Sequence, residues 1–105
     1  MARHDFDAEL WESDAMGAWV FLTVPGEISD DIRIESGPPT GFGSVRVEVT
    51  IGTTTWRTSV FPDKSLDAYI LPVKRAVRDA EHLEPGDVAG VSLVLIDPPG
   101  PEADA

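Results

Sequence analysis

Phe6, Ala8 and Leu10 alternate with Asp7, Glu9 and Trp11, the two-residue period of a half-buried strand. A polar stretch at residues 12–17 reads as a turn. From Ala18 to Val24 the chain is almost continuously apolar, and Pro25 and Gly26 end the run. Its length and aromatic content suit a central strand better than a helix. Val45, Val47, Val49 and Ile51 alternate with Arg46, Glu48 and Thr50, the clearest strand pattern in the chain. Gly52, Thr53 and Thr54 supply a hairpin turn into a strand from Thr55 to Phe61. Residues 62–65 read as a loop, 68–71 as a short strand and 88–96 as a final strand.

Two segments depart from period two. Between Glu27 and Ser36, Ile28, Ile32 and Ile34 mix both periods. One helical turn or two is expected there, with Ser29 as N-cap. Residues 37–41, rich in glycine and proline, break regular structure. From Pro72 to His82 the pattern turns helical. Pro72 suits a first helical residue, and Val73, Ala76, Val77 and Ala80 fall on one stripe. Pro85 and Gly86 then form a turn, with a positive φ expected at Gly86 in a type II geometry. Many short strands with one helix near residues 72–82 predict a mostly-β fold, a small antiparallel barrel. Residues 1–97 form one domain in this scheme, and 98–105 a disordered, acidic, proline-rich tail.

Composition narrows the function classes. Among 105 residues, 19 are acidic and 8 basic, a formal net charge of -11. Such a chain repels phosphate backbones and anionic lipid, so neither nucleic acid nor membrane is expected as a partner. With no cysteine, disulfides, thiol catalysis and cysteine metal sites are excluded. The N-terminus lacks the apolar core of a signal peptide, and a cytoplasmic protein, monomer or weak homodimer, is expected.

The only basic cluster is Lys74, Arg75 and Arg78. Lys74 and Arg75 fall where a helix macrodipole is already positive, a setting suited to an anion. The alternative is that these cations meet the chain's own carboxylates; Arg75 and Asp79 already stand four apart. Arg57 faces Glu48 across the predicted hairpin, the position of an ordinary surface pair. Trp11, Trp19 and Trp56 are large enough to fill a small barrel. Trp56 shares the phase of Thr58 and Val60, whereas Trp11 shares that of Asp7 and Glu9. A tryptophan left exposed near Arg57 or the basic helix would stack on a flat ligand. His4 and His82 have no metal-ligand spacing, no serine sits in a nucleophile motif, and the Gly41–Ser44 stretch lacks the helix a phosphate loop requires. No catalytic residue, metal or cofactor is assigned.

Taken in order, these features carry a resemblance. They are Phe6, Ala8 and Leu10; Trp19, Phe21, Val24 and Pro25; Gly43, Val45 and Val47; Trp56, Thr58, Ser59, Phe61 and Pro62; Tyr69, Leu71, Pro72 and Val73 with Arg78; and Gly86, Asp87, Ala89 and Val91. The set resembles the bacterial family called domain of unknown function 1905, over about residues 6–96. The resemblance implies a double-split β-barrel, a class also used by swapped-hairpin transcription factors, and it implies no established activity. Those factors use basic surfaces for DNA, and this chain is acidic. The expected function is a binding or interaction domain that takes a small anionic ligand or an acidic protein partner. Its binding residues are Lys74, Arg75, Arg78, Arg57 and Trp56. The alternatives are a small enzyme with an unidentified site and, by fold analogy, a transcription-related factor.

Overall fold

The alternating segments fold as the strands they predict, in a computed structural model that describes residues 3–14, 19–36 and 43–96. The expected break at 37–41, the acidic tail at 98–105 and residues 15–17 of the expected turn lie outside the described residues. Six strands and two helices are described: β1 (Arg3–Ser13), β2 (Trp19–Thr23), α1 (Gly26–Ser36), β3 (Val45–Ile51), β4 (Thr54–Asp63), β5 (Ala68–Pro72), α2 (Arg75–Glu81) and β6 (Val88–Leu95). The strands close into an antiparallel barrel in the order β1-β2-β5-β4-β3-β6.

Two long strands make the closure possible. The first half of β1, Arg3–Glu9, pairs with β6, and its second half, Leu10–Ser13, pairs with β2. In the same way Thr54–Val60 of β4 pair with β3, and Phe61–Asp63 pair with β5. A strand that changes partners midway turns a corner between two sheets and leaves no long free edge. The inward residues are those of the period-two pattern. Leu10, Leu22, Val47, Val49, Val60, Leu71 and Leu93 are fully buried, consistent with the alternation of inner and outer positions in a barrel.

The helices require corrections. The segment after Pro25 is a full eleven-residue helix, α1, rather than a turn or two. The fold therefore has two helices where one was expected. Ser29 is inside α1 and is not its cap. Its buried hydroxyl donates to the Val24 carbonyl at 3.1 Å and accepts the Tyr69 amide at 3.0 Å. This tertiary use of a serine is invisible in a local pattern. Pro72 ends β5, where it pairs with Phe21, and α2 begins only at Arg75. Ala76 and Ala80 are exposed, and α2 meets the core through Val77, with Val73 just before it. A seven-residue helix has no room for the four-residue stripe the sequence suggests.

The turn after α2 has the expected form. Gly86 has φ 98°, and the Asp87 amide donates to the Glu84 carbonyl at 2.9 Å, a type II arrangement. The turn is docked on β1, because the Gly86 amide donates to the Leu10 carbonyl at 2.7 Å and the Leu10 amide to the Asp87 carbonyl at 2.9 Å. A Cβ at Gly86 would meet nothing within 4 Å, so any penalty there is conformational. Gly86→Val should destabilise by about 1 kcal/mol or more. An unchanged urea midpoint would contradict the positive φ. No helix among the described residues is long and apolar enough to cross a membrane.

Candidate functional site

The divergence of β4 from β5 opens a depression in the barrel wall. β5 stays with β2 as far as Pro72, while β4 upstream of Phe61 has already moved to β3. The chain leaving β5 and the first residues of α2 run beside this gap. The depression has a volume of about 390 Å³. Trp56, Arg57 and Thr58 of β4 form one wall. Pro72, Val73, Lys74, Arg75 and Arg78 form another, and Trp19 and Val20 of β2 close a third side.

All five residues singled out in the sequence, Lys74, Arg75, Arg78, Arg57 and Trp56, line this one depression. Four of the chain's eight basic residues are therefore gathered in it. Two have carboxylate neighbours in the exposed pairs the spacing predicts. Arg57 Nε lies 3.4 Å from Glu48 Oε2, and Arg75 Nε lies 3.8 Å from Asp79 Oδ2. Exposed pairs this long are weak, worth about 0–1 kcal/mol, and yield readily to a better anion. Lys74 and Arg78 have no carboxylate partner among the described residues. Arg78 is half-buried in the last turn of α2, not at the helix start, and its Nε–H donates to the Val73 carbonyl at 3.0 Å. That bond fixes the guanidinium against the wall, and its terminal nitrogens have no acceptor among the described residues. With only seven residues in α2, the charge here comes from side chains and not from a helix dipole.

The tryptophans divide. Trp56 is half-buried and packs against the core. Trp19 is not a core residue, since it is 55 % exposed. Its ring lies 6.2 Å from the ring of Phe21, at 26°. Trp19 opens β2 on the outward face, in phase with Phe21 and Thr23. The continuous apolar run hides that phase, because Phe21 is itself an outward residue buried under the two neighbouring tryptophans. Trp11 is the other of these, 5.2 Å from Phe21, and its Nε1–H donates to Thr23 Oγ1 at 2.9 Å.

Glu81 is a residue whose role the sequence conceals. From the end of α2 it reaches the β3–β4 hairpin, where it accepts the Thr54 hydroxyl at 2.6 Å and, at longer range, the Thr53 hydroxyl and amide. It thereby ties the helix bearing Arg75 and Arg78 to the strand bearing Trp56 and Arg57. Gly52 keeps the hairpin close, with φ 60°; a Cβ there would collide with the Glu81 carboxylate. The Thr54 hydroxyl foremost, then the Thr53 groups, hold the Glu81 carboxyl below its ordinary value of 4.5. A depressed carboxyl stabilises the fold above its unfolded value, and that contribution is lost as pH falls through the folded value. The stability advantage of wild type over Glu81→Gln should therefore be full near neutrality and shrink below pH 4.5. Urea unfolding of both proteins across that range checks it, and a difference independent of pH would contradict the tie.

The histidines do not join this site. His4 is buried on the inner face of β1, with Nε2 3.0 Å from Glu35 Oε2 but without an aligned hydrogen bond. His82 is exposed in the left-handed conformation that ends α2. Among the described residues no three histidine, aspartate or glutamate side chains cluster as a metal site.

Residues 6–93 match the family described as Domain of unknown function (DUF1905). No curated protein matches the chain.

Proposed function

The chain belongs to the domain of unknown function 1905 family, and from that premise we propose that it is a binding domain that holds a small anionic ligand in the basic depression. The observation that carries this is Lys74 and Arg78, two cations without carboxylate partners among the described residues of a chain with 19 acidic residues. In so acidic a protein a purely solvating cation finds a carboxylate easily. A gap walled by donors and by apolar surface, with few polar groups fixing orientation, has the general make-up of a ligand pocket. The surrounding negative charge admits a compact anion into the gap and rejects a long polyanion. Among the described lining residues Thr58 offers the only hydroxyl, and no carboxylate or imidazole is present. This favours retention of a ligand over proton-transfer chemistry.

A ligand that binds only the folded state raises its melting temperature. Inorganic phosphate and 2-naphthoate, each titrated against chloride at equal ionic strength, should raise it by several degrees at saturation, roughly 4–8 °C per kcal/mol for a domain near this size. A rise no greater than that in chloride would overturn the proposal. A transcription-related role would instead require duplex DNA binding. Fluorescence anisotropy is expected to show none at physiological salt, and micromolar, steeply salt-dependent binding would favour that role.

A further inference from the structure

We infer that the ligand of this depression is a planar aromatic acid, one or two fused rings bearing a carboxylate or phosphate. The inference rests on the anion-binding proposal and narrows it to a chemical class.

The first ground is the polarity of the lining. Lys74, Arg75, Arg78 and Arg57 only donate hydrogen bonds. The indole N–H groups of Trp19 and Trp56 also only donate, and among the described residues neither is engaged with another side chain, whereas that of Trp11 is held by Thr23. Among the described lining residues Thr58 is the single side chain that can accept. A complementary ligand is rich in acceptors and poor in donors. Amines, sugars and amino acids carry donors that this site leaves unsatisfied, and an unpaired buried donor is costly. A carboxylate or phosphate has acceptors alone.

The second ground is ring surface beside the charge. Arg75 and Arg78 stand on α2, Lys74 just before it and Arg57 on β4, while Trp19 lines the same depression from the start of β2, next to Val20, whose carbonyl accepts the Val73 amide. Indole faces carry negative potential and do not attract an anion directly. They stack on the face of a flat ring by dispersion and apolar contact, while the acid group lies among the cations. Phe21 backs Trp19 at 6.2 Å and 26°, so this half-exposed ring is supported as a stacking platform. The third ground is size. At about 390 Å³ the space lies near the small end of ligand pockets, about 300–1,000 Å³, which suits a head group with one or two rings.

The experiment is calorimetric titration with four probes: inorganic phosphate, cyclohexanecarboxylate, benzoate and 2-naphthoate. The two aliphatic and aromatic six-membered acids differ in planarity and π character at equal head-group charge. Benzoate should bind roughly 2- to 10-fold more tightly than cyclohexanecarboxylate, the range that one aromatic contact supplies, and 2-naphthoate more tightly again. Trp19→Leu, at an exposed position, should erase most of that preference, while Lys74→Ala should weaken all four probes alike. Equal affinity of benzoate and cyclohexanecarboxylate, or a preference untouched by both Trp19→Leu and Trp56→Leu, overturns the aromatic assignment and leaves anion binding standing. If none of the four probes binds, the anion proposal fails and the aromatic assignment falls with it.

Discussion

Leu71→Ala is expected to lower the free energy of unfolding by about 2–5 kcal/mol, the range for removing a buried leucine side chain. Leu71 is fully buried in β5 and sits directly opposite Leu22 of β2, also fully buried. The sheet around it is held by short ladders, three pairs to β2 and three to β4. A domain of this size has about 5–15 kcal/mol in total, so the variant approaches the edge of folding. The wall of the depression begins one residue later, at Pro72, and should loosen with it. Urea denaturation checks the effect, with the slope unchanged and the midpoint lowered. A loss below about 1 kcal/mol would mean that β5 does not close the barrel.

Lys74→Glu combined with Arg78→Gln is expected to weaken phosphate or 2-naphthoate binding at least about a hundredfold, because hydrogen bonds to charged groups contribute about 1.5–3 kcal/mol each. The stability cost is unequal between the two sites. Lys74 is exposed without a carboxylate partner among the described residues, so its replacement should be near neutral. Arg78 loses the Nε–H bond to the Val73 carbonyl, a cost of about 1 kcal/mol. Affinity by calorimetry and midpoint by urea separate the two effects. Unchanged affinity in the double variant would remove the basic cluster from the site.

The strands were readable because a barrel with one wet face imposes period two directly on the sequence. Val45 through Ile51 needs no tertiary information, and neither does the Pro85–Gly86 turn, where the backbone itself demands glycine. The basic cluster and its association with Arg57 and Trp56 were also legible as residue types, though their meeting depends on where β4 leaves β5. Trp19 was obscured because an outward row that is itself covered, Trp11 over Phe21, looks like core. α1 was underestimated because Ile28 and Ile32 are its apolar contacts with the core, and Ile34 is exposed. Ser29 and Glu81 act across 40 and 27 residues of sequence, and no local period registers such contacts.

The three indole N–H groups allow the most direct test of the depression as a binding site. Trp19 and Trp56 line it, and Trp11 is held by Thr23 outside it. In a proton–nitrogen correlation spectrum of uniformly labelled protein, titration with 2-naphthoate should shift the indole signals of Trp19 and Trp56 in a saturable way, with that of Trp11 moving least. Single tryptophan-to-phenylalanine variants assign the three signals. If the Trp11 signal moves most, or all three stay fixed while the ligand reaches saturating concentration, the depression is not the binding site.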